Sequence, residues 1–158
     1  SPSGSSSRNR SRCHQIAVAL FLEETAAFEL TPQQYATLAV LAANDGVDQI
    51  TLAGLAAFNR TTAGEVLGRL EAAGLVTRSD SAQDRRVKHI HITKAGRKLL
   101  ADVHGAIVRV QERLLVPLSA AERKQFVGCL ARIASENNEL SRAPLRRPSA
   151  KGVRDGGG

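Results

Sequence analysis

Tryptophan is absent from this 158-residue chain, tyrosine occurs once and phenylalanine four times. Bases of single-stranded nucleic acids stack on aromatic rings, so this scarcity argues against such a platform. Cysteine is rarer still. Cys13 and Cys129 lie far apart and form no CxxC pair, which supports neither a disulfide framework nor a zinc cluster. Long apolar runs are missing too: the longest, Ile16 to Leu22, has seven residues, where a membrane-spanning helix needs about 20. Glu23 and Glu24 end it with no small-residue cleavage pattern behind them, so it reads as a buried helix of a cytoplasmic protein with no membrane partner. GxSxG, HExxH and phosphate-cradling glycine loops are also absent, and the four histidines are scattered. The expectation is therefore no enzyme, no catalytic residue, no cofactor and no metal site.

What is present is charge, unevenly placed. The net charge is +7, but residues 1–13 carry three Arg and no acid, and residues 141–158 carry five basic residues against one acid. The tails hold all of the excess. Within the neutral middle, residues 14–59 contain five acids and no Lys or Arg, whereas residues 60–98 contain nine basic residues and four acids. A basic block beside an acidic one fits a face aimed at phosphates, and it also fits a merely solvated surface.

Residues 1–11 and 141–158 are rich in Ser, Gly, Arg and Pro and are expected to be disordered tails. Between them helical periodicity dominates, with one break. Arg12 to Phe28 carries apolar residues on nearly all sides, as a helix packing on two partners at once would. Thr31-Pro32-Gln33-Gln34 is a capping box opening a helix that buries Tyr35, Leu38, Leu41 and Ala42, stopped by Asp45 and Gly46. Thr51 is expected to cap a short helix, Leu52–Phe58, and Asn59 the next. That next helix places Ala63, Val66, Leu67, Leu70 and Ala73 inward and closes at Gly74. The period then falls to two: Val76–Arg78 and Lys88–Ile92 read as strands around a polar tip with Asp84, Arg85 and Arg86. His89 and His91, at i, i+2, lack a third ligand nearby and are expected to face solvent or DNA. Thr93 caps a long helix ended by Pro117, and Ser119 to Glu122 is a second capping box, opening a helix with Phe126, Val127, Leu130 and Ile133 inward. The fold class is mainly α with a small β wing: a winged helix-turn-helix at residues 31–93, with residues 12–30 and 94–140 forming a helical dimerisation region.

The helix after Asn59 turns Thr61, Thr62, Gly64, Glu65, Gly68 and Arg69 away from its apolar stripe, with Arg60 at its entrance. Such a face suits a major groove: Arg pairs with guanine, Glu accepts from cytosine N4, and Thr bonds bases or phosphates. Two glycines on an exposed helix each cost about 1 kcal/mol relative to Ala, so a close approach of DNA or a neighbouring helix is expected there. Arg85 and Arg86 at a hairpin tip suit a narrow minor groove, Arg86 being the expected inserter.

Arg69-Leu70-Glu71-Ala72-Ala73-Gly74-Leu75-Val76, Asp84-Arg85-Arg86 and Thr93-Lys94-Ala95-Gly96 together resemble the MarR family of bacterial transcription regulators over roughly residues 12–140. His14-Gln15-Ile16-Ala17 and Asn138 to Pro144 further resemble the subgroup that represses nicotinic acid degradation. The resemblance implies a homodimeric repressor on a pseudo-palindromic double-stranded operator, with Asp84 bracing the wing arginine. It also implies a small aromatic carboxylate effector, such as a hydroxylated pyridine carboxylate, where the dimer platform meets the DNA-binding lobe. His14 and Arg12 would then contact the carboxylate and Val18, Phe21 and Tyr35 form an apolar wall, although each alone also fits simple packing. Two alternatives stand beside this reading. Cys13, between Arg12 and His14 near the expected helix start, could be a redox sensor; or the winged helix could bind protein and no DNA.

Overall fold

In the computed structural model, which describes residues 2–136, the chain runs α1 (Pro2–Glu24), a single 3-10 turn (Ala26–Phe28), α2 (Pro32–Ala43), α3 (Gln49–Leu55), α4 (Arg60–Ala72), β1 (Val76–Asp80), β2 (Lys88–Ile92), α5 (Lys94–Leu115) and α6 (Ala120–Glu136). Cap chemistry sets most of these boundaries. The Thr31 hydroxyl accepts the Gln34 N–H at 3.1 Å while Gln34 Oε1 takes the Thr31 N–H at 3.0 Å, which satisfies two of the amides a helix start leaves unpaired. Asn59 accepts the Thr62 N–H at 2.8 Å and Thr93 the Gly96 N–H at 3.1 Å. Ser119 and Glu122 exchange side chain to backbone bonds at 2.8 and 3.3 Å. Gly74 takes φ +72° after α4, a backbone conformation a side chain would resist.

Three expectations about boundaries change. The first helix begins at Pro2, well before Arg12, so the stretch 1–11 expected to lack structure is helical from residue 2. Proline is tolerated at a first helical position, and once a helix exists each further residue adds a hydrogen bond at little cost. Asp48, not Thr51, caps the short third helix: its Oδ1 accepts the Thr51 N–H at 2.8 Å and its Oδ2 the Thr51 hydroxyl at 3.0 Å. The helix therefore starts three residues earlier and ends at Leu55. β1 also extends two residues further, to Asp80, which pairs with Lys88 across the hairpin. The expected tail at 141–158 lies outside the described residues.

One core holds the lobe together. Leu38 and Leu41 of α2, Leu52 of α3, Leu67 and Leu70 of α4, Val76 and Ile90 of the hairpin and Val103 of α5 are all but fully buried, each stabilising the fold by about 1.5–3 kcal/mol. α1 joins it through Phe21 and is tied to α5 by ion pairs: Glu24 with Arg109 at 2.7 Å and with Arg113 at 2.8 Å. Hydrogen bonds from Arg109 and then Arg113 hold the Glu24 carboxyl below the usual carboxylate range.

The two platform helices depart from expectation in burial. α6 buries none of its residues, and Phe126, Val127, Leu130 and Ile133, expected inward, are exposed at 43, 55, 50 and 62%. α1 likewise leaves Ile16 and Leu22 exposed. The helical period matches the expectation, but among the described residues no residue of α6 is buried.

Candidate nucleic-acid interface

α4 is fixed from behind by Ala63, Val66, Leu67 and Leu70, all buried. Its other side is consequently free: Arg60, Thr61, Glu65, Gly68 and Arg69 are exposed, and Thr62 and Gly64 half-buried. The expected recognition surface is thus assembled on one rigid element. A Cβ on Gly68 would have nothing within 4 Å, whereas one on Gly64 would lie 3.5 Å from Gln49 Nε2. A Cβ at residue 64 would rest in ordinary contact on Gln49, while Gly68 is open. Beside this face, between the start of α2 and α4, lies a cleft of about 150 Å³ lined by Thr31, Gln33, Gln34, Thr62, Glu65, Val66 and Arg69. Sequence reasoning placed Gln33 and Gln34 only in a capping box. Their nearness to Arg69 depends on how α2 packs on α4, for which no local signal exists.

The wing tip carries Arg85 and Arg86 exposed, and neither forms an ion pair among the described residues. Asp84 braces the tip differently from the family-derived expectation of a bond to the arginine head. Its Oδ1 accepts the Arg86 backbone N–H at 2.9 Å and its carbonyl the Val87 N–H at 3.0 Å. A two-residue reach from an aspartate side chain to backbone is the usual Asx-turn geometry, and it leaves both guanidinium groups available.

The wing base is equally constrained. His89 and His91 do not simply face outward: His89 Nδ1 lies 2.8 Å from the Gly46 carbonyl, while His91 Nε2 lies 3.1 Å from Ser79 Oγ and its Nδ1 3.5 Å from Asp45. Asp45 also accepts the Ile92 N–H at 2.8 Å, the main reason its carboxyl is held below the ordinary range. Residues 46 and 47 add backbone bonds to Ile90, and Asp48 bridges His89, so the loop before α3 acts as a third strand. Glu71 at the end of α4 pairs with Arg78 of β1 at 3.0 Å. The recognition helix and wing are in this way one body.

The candidate effector residues divide. Phe21 and Tyr35 meet, ring centroids 5.9 Å apart, and His14, Val18 and Phe21 follow i, i+4, i+7 spacing along one face of α1. Burial rises along that face from exposed His14 through half-buried Val18 to buried Phe21. Arg12 is exposed two residues before His14, hence on a different face of the helix. Cys13 is exposed deep within α1, eleven residues past its first residue. That places it well beyond the first turn, where the field of a helix N-terminus acts.

Similarity to known proteins agrees with this geometry. The MarR family profile matches residues 28–87, which run from the end of the 3-10 turn to the residue before β2. The transcriptional regulator HosA of Escherichia coli O157:H7 is 35% identical over 119 residues, covering 72% of this chain and 87% of HosA. The transcriptional repressor CouR bound to a 23-mer DNA duplex superposes with a TM-score of 0.75 at 31% identity, over 80% of this chain and 89% of that one. The PcaV regulator of Streptomyces coelicolor in complex with its natural ligand gives 0.70 at 29% identity, over 84% and 91% of the two chains. With its recognition helix, braced wing and supporting helices in the order those regulators share, this chain belongs to the MarR family of DNA-binding transcriptional regulators and is not an enzyme.

Proposed function

We propose that the protein is a homodimeric repressor that leaves a pseudo-palindromic operator when a small aromatic acid binds, a hydroxylated pyridine carboxylate of nicotinate catabolism being the first choice. The observation that carries the assembly is the exposed apolar stripe on α6, together with exposed Ile16 and Leu22 of α1. Exposed contiguous apolar surface marks an interaction site. Two lobes are also what specificity needs, since one helix reads few bases; half-sites about 34 Å apart are the corresponding operator spacing.

The His14–Val18–Phe21 face, with Tyr35 against Phe21, supports the effector reading. It offers an apolar wall beneath a side chain that can bond a carboxylate, where α1 joins the lobe. The His14-Gln15-Ile16-Ala17 resemblance supports the pyridine carboxylate within that class. A thermal-shift panel of aromatic and pyridine carboxylates, followed by operator release with each hit, tests it. In that assay His14→Ala is expected to weaken the effector by about tenfold to a hundredfold, the worth of a charge-assisted hydrogen bond, with basal DNA binding retained. Cys13→Ser should respond like the parent. An effector response unchanged in His14→Ala, together with a peroxide response lost in Cys13→Ser, would transfer the sensing role to the thiol.

The wing has its own test. Arg86 is exposed and supports no core, so Arg86→Ala should weaken operator binding without changing the fold, and reduce the magnitude of the salt slope by about 1. Identical affinity at every salt concentration would remove the wing from the interface.

A further inference from the structure

We propose that Gln49 of α3, outside the recognition helix, reads a base within each operator half-site. This rests on the DNA binding of the family and adds a specificity-determining residue to it.

Gln49 is the first residue of α3, half-buried, and Asp48 caps the helix in front of it. Its side-chain amide has no hydrogen-bond partner among the described residues, and its Nε2 lies 3.5 Å from where a Cβ of residue 64 would be. Gly64 shares a helix face with Thr61 and Gly68, at i−3 and i+4. The recognition helix thus supplies no side chain at residue 64, and an amide from the preceding helix lies beside that position. Open Gly68, one turn further along, adds no side chain to hold DNA away from it.

The chemistry of the amide selects the base. A primary amide is donor and acceptor together, which matches adenine N7 and N6 in the major groove and no other single base edge as well. Thr61 and Glu65, exposed on α4, offer a hydroxyl and a carboxylate. Neither duplicates that paired pattern.

A duplex library of random sequence, enriched by the wild-type protein, supplies the operator. Affinities are then measured for that operator and for each single-base-pair variant. With wild type, one A·T pair in each half-site is expected to discriminate by about tenfold or more. Gln49→Ala should lose discrimination at that pair alone, with the rest of the profile and the thermal midpoint unchanged, because the side chain makes no hydrogen bond among the described residues. Gln49→Glu removes the donors and leaves acceptors, so the preferred pair at that position should move from A·T to C·G. A loss shared equally by all variants, or a profile unchanged in Gln49→Ala, would place the residue against phosphates or in packing and overturn the proposal. Failure of the wild type to enrich any sequence would overturn sequence-specific DNA binding itself.

Discussion

Leu130→Glu is expected to give a folded monomer whose affinity for a two-half-site operator is lower by about a hundredfold or more. The side chain is half exposed and α6 buries nothing in the single chain, so the lobe core built from α2 to α5 does not depend on it. In a dimer the same position would be dry, and an unpaired carboxylate there costs several kcal/mol. The second lobe then no longer binds at the high effective concentration that linkage provides, a factor of about 10²–10⁴. Ile16→Glu, on the exposed part of α1, should behave alike if α1 contributes to the same interface. Sedimentation velocity and operator titration check both. Soluble dimers with native affinity in each case would place the interface elsewhere.

The largest expected effect on stability comes from one methyl group. A Cβ on Gly96 would lie 2.4 Å from the Leu75 carbonyl oxygen and 2.8 Å from Ile92 Cγ1. Neither neighbour can give way freely. The Leu75 carbonyl accepts the Thr93 N–H at 3.0 Å, the Thr93 hydroxyl donates to the Gly74 carbonyl at 2.8 Å, and Ile92 is buried. Gly96→Ala must therefore shift the start of α5 off the wing base, an overpacking cost at or above the upper end of the usual 1–3 kcal/mol range. A fall of roughly 10 °C in the unfolding midpoint is expected, with weaker operator binding because the hairpin moves. Gly68→Ala is the contrast: its Cβ meets nothing, so better helix propensity should stabilise the protein by about 1 kcal/mol. Equal midpoints for the two variants would refute the steric account.

Much of this architecture was legible because its signals are local. The capping boxes at Thr31 and Ser119, the caps at Asn59 and Thr93 and the turn at Gly74 each involve residues within a few positions, and all appear as read. The third helix was misplaced because Asp48 and Thr51 are both good caps three residues apart; the carboxylate takes both the amide and the hydroxyl of its rival. Extension of α1 to Pro2 reflects propagation from a strong helical segment, which composition alone underweights. The recognition face followed from the apolar stripe behind it. Gln49 did not, since its role depends on an α3–α4 crossing and on what Gly64 lacks. His89 escaped for a similar reason: its partner, the Gly46 carbonyl, is 43 residues away in the chain.

The contacts at residues 45–48 bear on how a signal can travel. Two strands of five residues would form a hairpin of marginal stability by itself, but this one is stitched along β2 to the segment joining α2 and α3. It cannot flap on its own stem. A displacement of α2, whose Tyr35 rests on Phe21 of α1, carries the tip arginines and the groove-facing helix with it like a tool on a rigid handle. Sensing at the α1–α2 junction would then act on the aim of a whole lobe, and two such lobes would miss their adjacent grooves together while each stayed fully folded.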